Sequence, residues 1–332
     1  MANMSQKEEF VFGSEMEGRG VMSTFDTVVG VSIWVMTFLA VAIGILNLCI
    51  IKKVTIFHNS FGAFWVSRTI GEIGSNIVHV VYSAPVTVFQ PKDIPPTFGI
   101  TIFMIGYFFA AESCSMHQFV SANRMLAVCA PLKYDNIFTR KVTRNCILFI
   151  WTSVTILMSL YILIPCQMIG YSPKYYEFVY IRCEGSERDA SLIGSIVNRG
   201  CTVMCTVSLI NDCITFCKII QIKLKYTKQA EDEKFRRNVR FFAQTAVQNV
   251  TMMGTLAIIS IVNNRNSGKT GWNIAAFESV ILTHINNGLA LIVFNPEVRR
   301  LFRGKPEAVD STTVDLFTVD TATVVAPPKD GQ

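Results

Sequence analysis

The stretch Ser121-Ala-Asn-Arg-Met-Leu-Ala-Val-Cys-Ala-Pro-Leu-Lys-Tyr134 closes a long apolar segment and leads directly into a basic loop. At its centre is an Asn-Arg-Met step, and Pro-Leu-Lys-Tyr begins seven residues after the Arg. An arginine at the end of an apolar helix is costly unless it reaches water or meets a partner. The simplest interpretation is therefore a membrane helix with Arg124 at its boundary.

The composition supports a membrane protein. Of the 332 residues, 51% are apolar and only 16% are charged, whereas charged residues make up about 25% of an ordinary soluble domain. A membrane span needs about 20 apolar residues, and seven such stretches can be placed. The second is the weakest, because Arg68 and Glu72 interrupt it. The predicted spans cover residues 27–51, 59–85, 97–128, 143–165, 190–217, 238–262 and 272–294. The predicted fold is an all-α seven-transmembrane helix bundle, with one seven-helix domain at residues 27–303 and a short amphipathic helix after the seventh span.

The distribution of positive charge predicts the orientation. If the amino terminus is outside, the inner loops and inner helix ends carry nineteen Lys and Arg residues and the outer segments carry eight. An inner excess of this kind is typical of membrane proteins. We therefore expect an extracellular tail at residues 1–26, with the first span as its signal anchor, and a cytoplasmic tail at 304–332 that reads as disordered. Asn3 lies in a glycosylation sequon on the outer side.

Two cysteines stand apart from the others. Cys166 lies at the outer end of the fourth span and Cys183 lies in the loop that follows. Both face the oxidising side in the predicted orientation, so we favour a disulfide between them. The remaining cysteines fall in or beside spans, where they read as small apolar residues.

Several segments together resemble the rhodopsin-like G protein-coupled receptors. The Ser121–Tyr134 stretch resembles the signature that ends the third helix of that family. Gly44-Ile-Leu-Asn47 resembles its first-helix element, and the stretch Asn287–Phe302 resembles its seventh helix with the short helix that follows. Gly288 and Leu291 depart from the family pattern, where a proline and a tyrosine are usual.

The resemblance implies roles for individual residues. The residues that would face a G protein are Asn123, Arg124, Met125, Pro131, Leu132 and Tyr134. Those that would form a polar activation core are Asn47, Glu72, Ser113 and Asn287. In the family this core holds a sodium ion or a proton. Here Arg68 lies one helical turn before Glu72, the correct spacing for an ion pair, so we favour a pair over a sodium site.

The departures from the general pattern resemble a divergent branch. Asn123 replaces the usual Asp, Phe61-Gly62 opens the second span, and the outer loop carries Cys166 and Cys183. With Asn211…Thr215-Phe216-x-Lys218 in the fifth span and Phe241-Phe-Ala-Gln244 in the sixth, the chain looks most like the nematode serpentine receptor class X chemoreceptors.

The resemblance also implies an outward-opening ligand pocket. Phe103, Tyr107 and Ala110 match its usual wall on the third helix, and Gly106 replaces the Asp of amine receptors. Arg199 in the fifth span either anchors an acidic ligand or faces a polar interior. After the seventh span, Pro296–Phe302 predicts a short amphipathic helix on the inner membrane surface, with Asn295 as its cap.

The favoured function is a plasma-membrane receptor, with sensory cilia as one location, that binds an extracellular small molecule or peptide and activates a heterotrimeric G protein. Membrane lipid is its other partner, and the tail offers sites for a receptor kinase and arrestin. A ligand-gated channel or transporter on a seven-helix scaffold is the alternative. No cofactor, metal site, enzymatic motif or nucleic-acid partner is expected, since the histidines are scattered singly.

Overall fold

In a computed structural model, residues 10–185, 190–225, 233–264 and 270–304 are described. They form a bundle of seven spanning helical segments, as predicted. The second span consists of α2 and α3 joined by a π-helical turn, His79–Ser83. In chain order the spans are α1 (Thr24–Lys53), α2 (Ser60–Val78) with α3 (Ala84–Phe89), α4 (Pro96–Cys129), α6 (Arg140–Leu163), α7 (Leu192–Lys225), α8 (Glu233–Asn264) and α9 (Thr270–Phe294).

Two short helices and one hairpin complete the described fold. Helix α5 (Pro131–Ile137) follows the third span, and α10 (Pro296–Phe302) follows the seventh. Strands β1 (Ile169–Ser172) and β2 (Glu177–Tyr180) form an antiparallel hairpin between the fourth and fifth spans. The hairpin lies at the end of the bundle that is predicted to be extracellular; we name this end the outer end and the opposite end the inner end. A proline occupies the first position of α4, α5 and α10, where its missing N–H costs nothing.

Six described helices are long and apolar enough to cross a membrane. The second span is the exception, and it carries the buried Arg68 and Glu72. The largest differences from the predicted ends are on the inner side, where α7 continues to Lys225 and α8 already begins at Glu233. Lys and Arg are good helix formers, so the helices continue beyond the apolar residues that define the spans.

The first span starts at Thr24 because its end is well capped. The Ser23 hydroxyl accepts a hydrogen bond from the Asp26 backbone N–H, and the Asp26 side chain accepts one from the Ser23 backbone. This reciprocal capping box satisfies two donors that a helix end leaves free. The segment before the first span therefore ends at Ser23, and not at residue 26 as predicted.

The π-helical turn in the second span precedes Pro85. A proline inside a helix removes one backbone hydrogen bond, and its ring clashes with the carbonyl four residues earlier. Widening the preceding turn relieves that clash. The same turn contains His79, Tyr82 and Ser83, whose side chains are all buried.

Glycines allow the second and seventh spans to approach their neighbours. A Cβ on Gly62 would lie 1.8 Å from the Phe57 carbonyl oxygen, and one on Gly288 would lie 2.2 Å from the Ile43 side chain. The glycine that departs from the family pattern at 288 thus permits close packing of the first and seventh spans.

The hairpin lies over the outer end of the bundle. A disulfide joins Cys166 to Cys183, with the two Cα atoms 5.6 Å apart, and brackets both strands. Beneath the hairpin lies the fully buried Met16 of the amino-terminal segment, whose sulfur faces Gly99 and Gly170. Residues before the first span therefore pack as part of the outer surface. Asn3, in the predicted sequon, lies outside the described residues.

Candidate functional site

A cavity of about 560 Å³ lies beneath the hairpin. It is bounded by the second to seventh spans, and the fourth span contributes only Tyr161. All four residues of the predicted pocket, Phe103, Tyr107, Ala110 and Arg199, line it. A volume of this size is in the range of sites for small organic molecules.

Aromatic rings form one wall of the cavity and part of its roof. Phe103 and Tyr107 are stacked on the third span with ring centroids 6.3 Å apart. Phe178 of β2 contacts Phe103 at 5.4 Å and Phe277 of the seventh span at 5.4 Å. The hairpin thus links the third and seventh spans above the cavity, a role the sequence does not indicate.

The cavity lining includes one acidic and one basic residue, Glu177 and Arg199. Arg199 is exposed, while Glu177 on the hairpin is half-buried. Burial raises the pKa of Glu177 to about 7, because a carboxylate loses hydration when it is taken out of water. Near neutral pH this carboxyl group is therefore partly protonated and partly ionised. No motif in the sequence marks Glu177 as a site residue.

A second cluster that the sequence does not reveal is centred on Asp26, at the outer end of the first span. Its carboxylate is fully buried. It accepts hydrogen bonds from Gln90 at 2.9 Å and Tyr176 at 2.5 Å, and it pairs with Arg19. These partners come from the second span, the hairpin and the amino-terminal segment. The cluster ties those three parts of the outer surface together.

In mid-membrane, Arg68 and Glu72 form the ion pair that their spacing favours. Arg68 Nε lies 3.2 Å from Glu72 Oε1, and its guanidinium is 4.0 Å from the centroid of the Trp65 ring. Asn287 of the seventh span donates to the same Glu72 oxygen at 2.6 Å, and Arg68 donates to Gln248 of the sixth span at 3.1 Å. The pair therefore connects the second, sixth and seventh spans.

The other two members of the predicted core lie near this pair but are not bonded to it. The Ser113 hydroxyl and the Asn47 Oδ1 atom have no hydrogen-bond partner among the described residues. The Asn47 amide nitrogen lies instead against Gly288. Of the four predicted core residues, Glu72 and Asn287 are joined by a well-formed hydrogen bond, and the Ser113 hydroxyl lies close to the Glu72 carboxyl group.

Glu112, next to Ser113 in the third span, is a second buried carboxylate. It is fully buried and accepts a hydrogen bond from Ser67 at 2.7 Å; Trp151 donates to the same hydroxyl at 2.9 Å. This chain links the second, third and fourth spans. An acidic residue in the middle of an apolar stretch is a signal from which it could have been found.

At the inner end of the third span, Arg124 is 3% exposed. Its guanidinium lies 4.0 Å from the centroid of the Phe61 ring and 5.2 Å from that of Phe241. Asn123 accepts a hydrogen bond from Arg124 Nε at 3.2 Å, and its amide donates to the Tyr134 hydroxyl at 3.0 Å. We call Phe61 and Phe241 the aromatic clamp. It covers the arginine that the resemblance assigns to G-protein contact.

Asn123 is buried as well, but the remaining members of the predicted coupling surface are more accessible. Pro131 is exposed and Met125 is half-buried, while Leu132 is 94% exposed. A large apolar side chain that is nearly fully exposed at the polar end of a membrane helix is typical of a contact surface. The structure thus separates an accessible part, on α5, from the covered Arg124.

The sixth span is held to its neighbours at several levels on the inner side. Arg240 pairs with Glu297 of α10 at 3.2 Å, and Asn295 donates to Gln244 at 2.8 Å. Asn295 occupies the N-cap position of α10, as predicted, but its side chain makes no capping hydrogen bond. Its amide donates to Gln244 and to the Leu291 carbonyl instead.

Among the described ranges, no group of three or more His, Cys, Asp or Glu side chains is arranged to hold a metal ion. The predicted phosphorylation sites of the carboxyl-terminal tail lie outside those ranges.

Comparison with known proteins agrees with this architecture. Residues 34–295 match the family described as serpentine type 7TM GPCR chemoreceptor Srx. The chain is also similar to serpentine receptor class X 45 of Caenorhabditis elegans, with 25% identity over 306 residues, which cover 84% of this chain and 81% of that protein. The family match spans all seven helices of the bundle. The chain therefore belongs to the serpentine seven-transmembrane chemoreceptor family Srx.

Proposed function

We propose that this chain is a plasma-membrane chemoreceptor that binds an extracellular small molecule or peptide in the outer cavity and activates a heterotrimeric G protein at its inner face. The proposal places the amino terminus outside, in line with the excess of positive charge on the inner side. The Srx membership supports a chemosensory role.

The observation that carries the proposal is that the sixth span reaches both sites. Its outer half lines the cavity with Met252 and Thr255, and its inner half places Phe241 over Arg124. A ligand that prefers a displaced position of this helix would also uncover Arg124. Binding can shift a two-state equilibrium only through such a difference in contacts.

The ladder of polar contacts along the sixth span sets the resting state. Gln244 is bonded to Asn295, and Gln248 is bonded to Arg68 and to the Asn287 carbonyl. Each hydrogen bond contributes about 1 kcal/mol net. Outward movement of the inner half has to break several of them together, which favours two discrete states over gradual opening.

The test is a cell-based G-protein dissociation assay that compares the wild type with Arg124→Ala at matched surface expression. We expect basal or ligand-evoked dissociation in the wild type and its loss in Arg124→Ala. Arg144→Ala is the matched control, because it removes an exposed arginine from the inner end of the fourth span. It should signal as the wild type does.

The channel or transporter alternative gives a different result in the same cells. Surface-expressed protein would then pass current or solute. G-protein dissociation would stay at the background level in both the wild type and Arg124→Ala. That outcome would overturn the receptor proposal.

A further inference from the structure

Three cysteine thiols from two helices meet at the floor of the outer cavity. Cys114 of the third span is in side-chain contact with Cys201 and Cys205 of the fifth. Cys114 and Cys205 pack with Met252 and Leu256 of the sixth span in one buried cluster. Cys114 and Cys201 line the cavity itself, and both are free thiols.

The position of these thiols at the floor follows from the direction of the helices. Cys114 is the last residue of the third span to line the cavity, and Cys201 is the last of the fifth. Both helices run from the outer to the inner side, so these two residues are the deepest lining groups on their spans. A small molecule that fills the cavity reaches both sulfurs.

Hydrogen bonds two turns further in hold the two helices in register. Ser121 donates to the Ser208 carbonyl at 3.2 Å, and Ser208 donates to Gln118 at 2.7 Å. Ser121 follows Cys114 by the same seven residues by which Ser208 follows Cys201. Because the two helices are parallel, this pairing keeps the Cys114 and Cys201 thiols opposite each other.

We propose that Cys114 and Cys201 form a reactive dithiol that takes hydrogen peroxide from the outer cavity and becomes a disulfide between the third and fifth spans. The proposal rests on the proposed function in one respect, that the cavity opens to the extracellular side. It identifies small two-electron oxidants as one chemical class that this cavity senses.

The chemistry requires two thiols and one peroxide. The Cys201 sulfur attacks a peroxide oxygen and the O–O bond breaks. The leaving hydroxide takes the thiol proton and departs as water, and Cys201 becomes a sulfenic acid. The Cys114 sulfur then attacks the Cys201 sulfur, the S–O bond breaks and a second water leaves. The two sulfurs are oxidised to a disulfide and the peroxide is reduced to two waters.

A disulfide at this level would have a mechanical consequence. It would tie the third span, which carries Arg124, to the fifth span. The cysteines also pack against Met252 and Leu256 of the sixth span. Formation of the disulfide would therefore change the packing of the helix that carries Phe241. Oxidation should therefore alter the equilibrium between the closed and open inner face.

The first test is chemical and needs no G protein. Full-length receptor in membranes is treated with hydrogen peroxide, alkylated, digested and analysed by mass spectrometry. We expect a linked peptide pair that contains Cys114 and Cys201. The link should be lost in Cys114→Ser and in Cys201→Ser and kept in Cys213→Ser, which removes an exposed thiol from the same fifth span.

A second measurement covers the case in which a variant folds poorly. Phenylarsine oxide, which bridges neighbouring thiols, should block the link when it is added to the wild type before peroxide. Absence of the link in the wild type, or a link from Cys114 to Cys205 with Cys201 unmodified, would overturn the proposal. If the link forms but no G protein is engaged, the dithiol stands and the proposed function alone fails.

Discussion

Two buried arginines in this bundle are held in different ways. Arg68, in mid-membrane, is paired with a carboxylate from its own helix, Glu72, at 3.2 Å. Arg124, at the inner end of the third span, lies against the rings of Phe61 and Phe241, with the neutral Asn123 as its hydrogen-bonding neighbour. Both are almost inaccessible, at 1% and 3% exposure.

The two arginines differ in whether their partner lies on the same helix or on another one, and this decides whether the contact can change when helices move. Glu72 is one turn from Arg68 on the same helix, so that pair survives any movement of one helix past another. The ring of Phe241 belongs to the sixth span, so its contact with Arg124 is lost when that span moves away. We infer that the mid-membrane pair mainly stabilises the fold, whereas the aromatic clamp sets the balance between closed and open states.

The largest effect is expected from breaking the mid-membrane pair. Glu72→Gln leaves the Arg68 charge buried without its carboxylate, and loss of one partner of a buried pair costs about 3–5 kcal/mol. The midpoint of thermal unfolding in detergent should fall strongly. Adding Arg68→Met to Glu72→Gln should recover much of the loss, because the buried positive charge is then removed as well.

Two controls sharpen this prediction. Glu297→Gln removes the carboxylate of a partly exposed pair with Arg240 and should change stability by about 1 kcal/mol or less. Replacing sodium by choline in the buffer should leave the wild-type midpoint unchanged if Arg68 neutralises Glu72. A clear stabilisation by sodium would support the sodium site instead.

A smaller effect on stability but a clear effect on signalling is expected from Phe241→Leu. The substitution keeps an apolar side chain but removes one of the two rings facing Arg124. A cation–π contact away from water is worth about 2 kcal/mol, so ligand-free G-protein dissociation should rise by roughly tenfold or more. Phe242→Leu is the matched control, since Phe242 is buried but packs in a different cluster. Equal basal signalling in the two variants would contradict the clamp.

The reverse change tests the neutral neighbour of Arg124. Asn123→Asp supplies a charged acceptor, and a charge-assisted hydrogen bond exceeds a neutral one by about 1 kcal/mol. Basal signalling should fall by roughly fivefold. Asn136→Asp, which adds the same charge at an exposed position of α5, should leave it unaltered. An unchanged basal signal in Asn123→Asp would mean that the clamp alone restrains the arginine.

An effect that appears only as the pH is lowered is expected at Glu177, a partly buried acid on the outer hairpin. Its pKa is raised to about 7 by burial, above the ordinary value of about 4.3, so the folded state binds its proton more tightly. The free energy of unfolding should therefore increase as pH falls through 7 and level off below the ordinary value. Glu177→Gln should remove this part of the pH dependence of thermal unfolding, while Glu184→Gln, at an exposed position of the same loop, should retain it.

Much of the bundle follows from local sequence. Each span is recognised from the length of its apolar run, and the prolines that begin α4, α5 and α10 mark helix starts. The Arg68–Glu72 pair could be anticipated because its members are one turn apart on a single helix. Asn295 takes the predicted N-cap position, but its side chain bonds to Gln244 on another span, a partner that the local sequence does not show.

Clusters that join distant parts of the chain are not visible in the sequence. Asp26 and Tyr176 are separated by 150 residues, and Gln248 reaches Arg68 across 180. Nothing in the neighbourhood of Asp26 indicates its partners on the hairpin. Glu112 is marked only by its position within an apolar run, and the family resemblance points to Ser113 beside it instead.

The sequence by itself determined the seven spans, their expected orientation and the receptor family, since these depend on apolar run lengths, charge distribution and short motifs. Only the tertiary structure decided that Arg124 is covered by Phe61 and Phe241, that the hairpin roofs the cavity, and that Cys114 meets Cys201. Such contacts depend on the rotation and axial register of each helix against its neighbours. Those are set by side-chain packing across the whole bundle, which no single segment encodes.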